Sequence, residues 1–321
     1  MYFRRSRRLL LLAAALLACH GVARADEMKT LHVGMIPTID FAPFYAALTN
    51  GYFTEEGLKI DLTPTTGGAV GIPAVVSGAL DIAAGNVVST ILAASRGLDI
   101  IAIAPASKVR ASDPDLAAIV ALTASTLHSG ADLNGKTLAV NTRANVLWLY
   151  GRAWVRKTGG DPDKVTIKEV PFPQMLDALK GHQVDAAFMV SPFLNAALAD
   201  PAFQRIGEPY QQVQPDVDVG QYEATNAFVR EHPKETAAFL RALRKGAVWF
   251  NANRRTPALA DIVAGYSHLS AGLVAKIDLP EAPMTIDPAQ IGKTIDLMRQ
   301  EGLLKAPMDP MKIVYTPATR P

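Results

Sequence analysis

The 321-residue chain has one cysteine, Cys19, and it falls within the first 25 residues. That stretch has the form of an export signal: Arg4, Arg5, Arg7 and Arg8 precede the apolar run 9–18, and Ala23-Arg24-Ala25 is a small-x-small cleavage pattern. The run is too short for a membrane span, which takes about 20 apolar residues. Cleavage after Ala25 is the expectation. Two variants stay open, a twin-arginine route through Arg7-Arg8 and a lipid anchor on Cys19. A chain cut after Ala25 holds no cysteine, which excludes disulfides, thiolate zinc sites and a cysteine nucleophile together.

Other signals of chemistry are scarce as well. The six histidines stand at 20, 32, 128, 182, 232 and 268, with no pair at metal-ligand spacing, and neither H-E-x-x-H nor G-x-S-x-G occurs. An excess of positive charge is lacking too. Of the 32 Lys and Arg residues, five leave with the signal and no acid does, so 27 bases face 30 acids and the net charge becomes −3. No strong field for nucleic acid or anionic lipid remains. The expectations are a binding protein and not an enzyme, with no metal, no cofactor and no nucleic-acid partner.

What is present is material for packed cores. Apolar residues make up 49% and charged residues 19%, and just under 300 residues suit two lobes better than one. Short β-branched runs at 31–36, 58–62, 81–84 and 99–104 alternate with helix-period segments, which predicts an α/β architecture with a largely parallel sheet. The turns at 37–40, 65–68 and 85–89 would converge at the carboxyl ends of the strands, the usual place for a ligand in such a sheet. Gly130 to Thr137 matches the phosphate-loop pattern G-x4-G-K-T. Its Lys and Thr lead into the β-type run 138–141 and not into a helix, so the match is rejected.

The residues Pro37, Gly51-Tyr52-Phe53, Glu56 to Leu58, Gly78 with Asp81, and Asn86 resemble the amino-terminal part of the nitrate/sulfonate/taurine group of ABC-transporter solute-binding proteins, a domain shared with fungal thiamine-pyrimidine synthases. The resemblance continues more loosely to about residue 247. It implies a two-lobe fold of the type II periplasmic-binding-protein kind, each lobe a mainly parallel sheet flanked by helices, with two interlobe crossings. The first lobe would be 26–107 with 217–321, the second 108–216. It also implies a monomer in the periplasm that binds a small solute and delivers it to the membrane subunits of an ABC permease, and indirectly to the ATPase. The expected solute is anionic, of the sulfonate, taurine, nitrate, carboxylate or pyrimidine-precursor class. The fungal relatives leave an enzyme as the alternative, although their cysteine-rich motif has no counterpart here. A ligand sensor for a membrane receptor is a third reading.

Candidate ligand residues follow from the turns. In the first lobe Thr38, Asp40 and Phe41 would face the cleft, with an N-cap or core role for each as the competing reading. Gly67 and Gly68 would present backbone N–H groups, and Asn86 and Ser89 stand at a helix start. In the second lobe Thr142, Arg143 and Asn145 occupy the turn before a long apolar helix, and Arg143 would hold an acidic group, with a solvated arginine on a surface loop as the competing reading. Ser191 opens a further helix, a loop at 208–216 would hold the return crossing, and Tyr222 on the return segment would face the cleft, with a packed tyrosine as the competing reading. The pair Gly181 and Asp185 stands in the second lobe where Gly78 and Asp81 stand in the first, one residue further apart, which suggests related lobes. Helices at 257–266, 270–276 and 287–301 are expected to buttress the first lobe, and 308–321, with three prolines, to form a loose tail.

Overall fold

The computed structural model describes residues 28–112 and 116–316. The region read as an export signal, Cys19 included, lies outside the described residues. Strand β1 (Lys29–Met35) buries Leu31, Val33 and Met35 at the two-residue period of a strand. It pairs in parallel with β2 (Leu58–Pro64) on one side and β3 (Ile82–Asn86) on the other. Chain order continues through β4 (Ile101–Pro105), β5 (Lys108–Val109), β6 (Ala117–Leu122), β7 (Thr137–Val140) and β8 (Thr166–Glu169). The last four are β9 (Ala186–Val190), β10 (Phe203–Gly207), β11 (Val217–Asp218) and β12 (Gly220–Ala224).

These strands build two five-stranded sheets of one plan. The first runs β2-β1-β3-β12-β4 and the second, from its matching edge, β8-β7-β9-β6-β10. In each a single strand is antiparallel to both neighbours, β12 in the first and β6 in the second. Each of these follows directly on a crossing, because β5 and β11 pair antiparallel through Val109 with Val217 and Lys108 with Asp218. The aspartates of the two Gly–Asp pairs have the same structural role. Asp81 exchanges hydrogen bonds with His32, its Oδ2 accepting from the His32 N–H at 2.7 Å and its own N–H donating to the His32 carbonyl at 2.8 Å. Asp185 does the same with Thr137, at 2.8 and 2.9 Å. Both aspartates therefore fix where the third strand of a sheet meets the first. The strand at Thr137 also shows why the phosphate-loop match fails, since Lys136 and Thr137 enter β7 and no helix.

One face of the first sheet packs on a ring cluster in which Phe44 and Phe53 lie 5.1 Å apart and Phe53 and Phe239 5.3 Å. The rings come from the helices Ala42–Thr49, Tyr52–Glu55 and Pro233–Asn253. In the second sheet Tyr210 contacts Tyr150 at 5.2 Å and Phe188 at 5.4 Å. Three expectations need correction. The segment 208–216, read as a loop, contains the helix Pro209–Val213. The proline-rich end is pinned and not loose as far as it is described: Ile313 is wholly buried, Val314 bridges Ala102, and the Tyr315 N–H donates to the Ala102 carbonyl at 2.9 Å. The helix Pro288–Gln300 does more than buttress the first sheet. It packs on Val87–Ser95 and also on Val146–Lys157 beside the second sheet, and Glu301 at its end accepts from Nε of Arg156 at 3.0 Å.

Candidate functional site

Turns at the carboxyl ends of β1, β2 and β3 meet those at the ends of β7, β8 and β9, and a cavity of ≈ 60 Å³ lies among them. Thr38, Asp40, Phe41 and Asn86 line it from the first sheet. Asn141, Asn145 and Phe172 line it from the second, and Ser107, Lys108 and Gly220 on the crossings form its floor. Burial pushes the Asp40 carboxyl above its ordinary range, against hydrogen bonds with the side chains of Ser107 and Thr38. Lys108 is engaged by Asp287, its Nζ 3.5 Å from Oδ2. Phe172 lies parallel to Phe193 at 6.0 Å, which holds its ring at the cavity wall.

Two asparagines tie the halves together. The side chain of Asn86 caps the helix Val87–Ser95, Oδ1 accepting from the Ser89 N–H at 3.0 Å and Nδ2 donating to Ser89 Oγ at 3.0 Å. The same Oδ1 accepts from the Val146 N–H at 3.2 Å. Asn145 caps the helix Val146–Lys157 through the Trp148 N–H at 3.0 Å and donates to Asn141 Oδ1 at 2.7 Å. Asn141 in turn donates to the Thr66 carbonyl at 3.0 Å, and the Ile39 N–H donates to the Ser191 carbonyl at 3.0 Å. Hydrogen bonds thus cross between the two sheets at three points.

Of the residues expected at a ligand, Thr38, Asp40, Phe41, Asn86 and Asn145 line the cavity. Gly67, Gly68, Ser89, Thr142 and Ser191 stand on the turns just outside it. Gly67 takes φ 147°, a backbone state that favours glycine, and a Cβ there would come within 3.3 Å of Asn141 Nδ2. A Cβ at Gly68 would stand 2.5 Å from that of Ser89, so the two helix starts touch. The hydroxyls of Thr142 and Ser191 are buried and have no hydrogen-bond partner, and Thr65 on the facing turn is in the same position.

Two expected residues are elsewhere. The Arg143 guanidinium donates to the Ile167 carbonyl at 3.0 Å and lines an outer groove with Trp148 and Arg152. The reason is local: its N–H is held by Glu169 at 2.7 Å, and Ala144 takes a positive φ of 53°, which turns the side chain outward. Tyr222 is wholly buried and packs edge-on to Phe41 at 5.6 Å and to Phe239 at 6.0 Å. Alternation along β12 explains it, because Gln221 and Glu223 take the other face. Sequence reasoning missed Ser107, Lys108, Asn141, Phe172 and Tyr210 as lining residues. The available signal was position: Asn141 ends a strand, and Ser107-Lys108 is a crossing that must run under any cleft.

Comparison with known proteins gives the family. A profile described as "NMT1/THI5 like" matches residues 38–255. A formylaminopyrimidine-binding protein of Halalkalibacterium halodurans is 30% identical over 258 residues, which cover 76% of this chain and 74% of that protein. The fold is shared with an alkanesulfonate-binding protein of Xanthomonas axonopodis pv. citri, bound to MOPS, at 17% identity and a TM-score of 0.76, over 90% of this chain and 99% of that one. It is shared too with the periplasmic nitrate-binding protein of Synechocystis PCC 6803, at 15% identity and a TM-score of 0.76, over 89% and 85%. With a match across more than half of its length, paired sheets of one plan and a site where they meet, the chain belongs to the NMT1/THI5-like family and has the periplasmic-binding-protein fold.

Proposed function

We propose that the protein is the solute-binding component of an ABC importer and that its solute is a small planar heterocycle of the aminopyrimidine kind. The lobes of this reading are 26–107 with 217–321 and 108–216, joined at β5 and β11. After export through the signal at 1–25, a monomer would carry the solute to the permease, with no reaction of its own. The observation that carries the solute class is the composition of the cavity: a phenyl ring from each side, Phe41 and Phe172, with the amides of Asn86, Asn141 and Asn145 and one carboxyl, Asp40. Rings sandwich a flat guest, and amides and a carboxyl match its ring nitrogens and exocyclic amine. The 30% identical relative that binds formylaminopyrimidine supports the same class. An anionic guest is less well served, since Lys108 already faces Asp287 and Arg143 points outward.

Closure follows from the lining. The cavity is walled by turns of both sheets, and hydrogen bonds cross between them beside it, so the lobes part to admit a solute and shut on it. Titration calorimetry with formylaminopyrimidine, taurine, an alkanesulfonate and nitrate tests the reading. Saturable heat at one site per chain with the pyrimidine alone is expected. Binding of a sulfonate or nitrate without the pyrimidine overturns the solute class, and turnover of the pyrimidine by purified protein overturns the assignment as a binder only.

A further inference from the structure

A carboxyl lies beneath the cavity. Glu223 on β12 is 0% exposed, and its Oε1 is 2.5 Å from the Thr90 hydroxyl. That hydroxyl is 3.1 Å from the Asn86 carbonyl, and the Asn86 N–H faces the Glu223 carboxyl. Both peptide groups of Asn86 therefore bear on one side chain. Gly85 is what admits it, because a Cβ at that position would stand 2.1 Å from the carboxyl carbon. Capping of the helix at Asn86 needs only its own side chain and the Ser89 N–H. A buried carboxyl is costly and is not required for that cap.

We propose that Glu223 is a positioning residue for the cavity: through Thr90 and the Asn86 peptide it sets where the Asn86 amide stands between the two sheets. The inference rests on the reading of that cavity as the solute site. Thr90 has one hydroxyl proton. When it donates that proton to the Asn86 carbonyl, its oxygen can accept from Glu223 only in the acid form. Burial pushes the Glu223 carboxyl up to about 8, so the acid form prevails at neutral pH. The groups that face it are Thr90 and Asn86 from β3 and the helix after it, and Gln221 on its own strand is near Thr90; none of these titrates. Loss of the proton turns the Thr90 hydroxyl toward the carboxylate and frees the Asn86 carbonyl.

The test is an NMR titration of the full chain without ligand, with carbon-13 in the glutamate carboxyls and nitrogen-15 in the amides. Glu223 should titrate with a midpoint of about 8, and the Asn86 side-chain amide should shift with the same midpoint. In Glu223→Gln, whose amide can still donate to Thr90, the Asn86 signals should stay at the acid-limit positions at every pH. In Thr90→Val, which removes the relay, the Asn86 side-chain amide should be displaced and no longer follow Glu223. An Asn86 side-chain amide that ignores the Glu223 titration, or that responds to it unchanged in Thr90→Val, overturns the proposal. The wild-type and Thr90→Val arms decide it even where Glu223→Gln does not fold. In parallel, affinity for formylaminopyrimidine should fall above the midpoint by up to about tenfold per pH unit, the limit for one coupled proton, and should stay flat in Glu223→Gln. If formylaminopyrimidine binds at no pH, the solute class fails, and the ligand-free titration still decides the role of Glu223.

Discussion

The backbone N–H of Val146 donates to Oδ1 of Asn86 at 3.2 Å, so the first residue of a helix on the second sheet rests on the cap of a helix on the first. One amide thereby ends a strand, caps a helix, lines the cavity and joins the two halves.

Asn86→Ala should show both roles. Loss of the cap lowers stability by about 1 kcal/mol in urea denaturation, and loss of the amide weakens formylaminopyrimidine binding by about tenfold or more. Asn86→Asp keeps an oxygen for the Ser89 N–H, so its stability should stay near wild type while its affinity falls. Equal losses of affinity and stability in both variants would reduce Asn86 to a cap.

Arg143→Ala should leave affinity within about twofold of wild type, because the guanidinium serves the Ile167 carbonyl on the outer groove. The lost hydrogen bond lowers stability by about 1 kcal/mol. Calorimetry and thermal denaturation on the same preparation separate the two effects. A large loss of affinity would return the arginine to the site.

Gly85→Ala places a methyl against the Glu223 carboxyl and should cost about 1–3 kcal/mol by overpacking. Combined with Glu223→Ala, the loss should be well short of the sum of the two single effects, since they share one space. Urea titration of the four proteins measures the coupling, and simple additivity would refute the contact.

Asp218 on the crossing strand β11 titrates at about 6 in the folded chain, raised from 3.8 chiefly by burial. Between those values the native state keeps a proton that the unfolded chain has released. Stability therefore falls as pH rises through that window, by up to about 1.4 kcal/mol per unit, and levels off above it. Asp218→Asn, which can still accept from the Asp287 N–H, should remove that slope. Chemical denaturation across the acid range would show it, and an unchanged slope in the variant would place the titration elsewhere.

The sequence showed the sheets more readily than the site. Runs such as 81–84 and 99–104 are short and largely apolar because both faces of those strands are covered, so residue type and length located them. Asn86 and Asn145 were legible because capping residues precede apolar helices. Arg143 and Tyr222 were misplaced for a different reason. Their direction depends on one positive φ at Ala144 and on the phase of β12, neither of which leaves a trace in residue type. Phe172 was missed because its role depends on a ring brought from 21 residues further along the chain, Phe193.

Hydrogen exchange read by mass spectrometry, with and without formylaminopyrimidine, tests most directly whether a guest is held where the two sheets meet. The account predicts protection of the turns carrying Thr38 to Phe41, Asn86, Ser107-Lys108, Asn141 to Asn145 and Phe172, with the far wall of the outer groove, Asp163 to Ile167, unaffected. Protection at the surface groove by Tyr52 and Trp249 instead, with none at those turns, would contradict it.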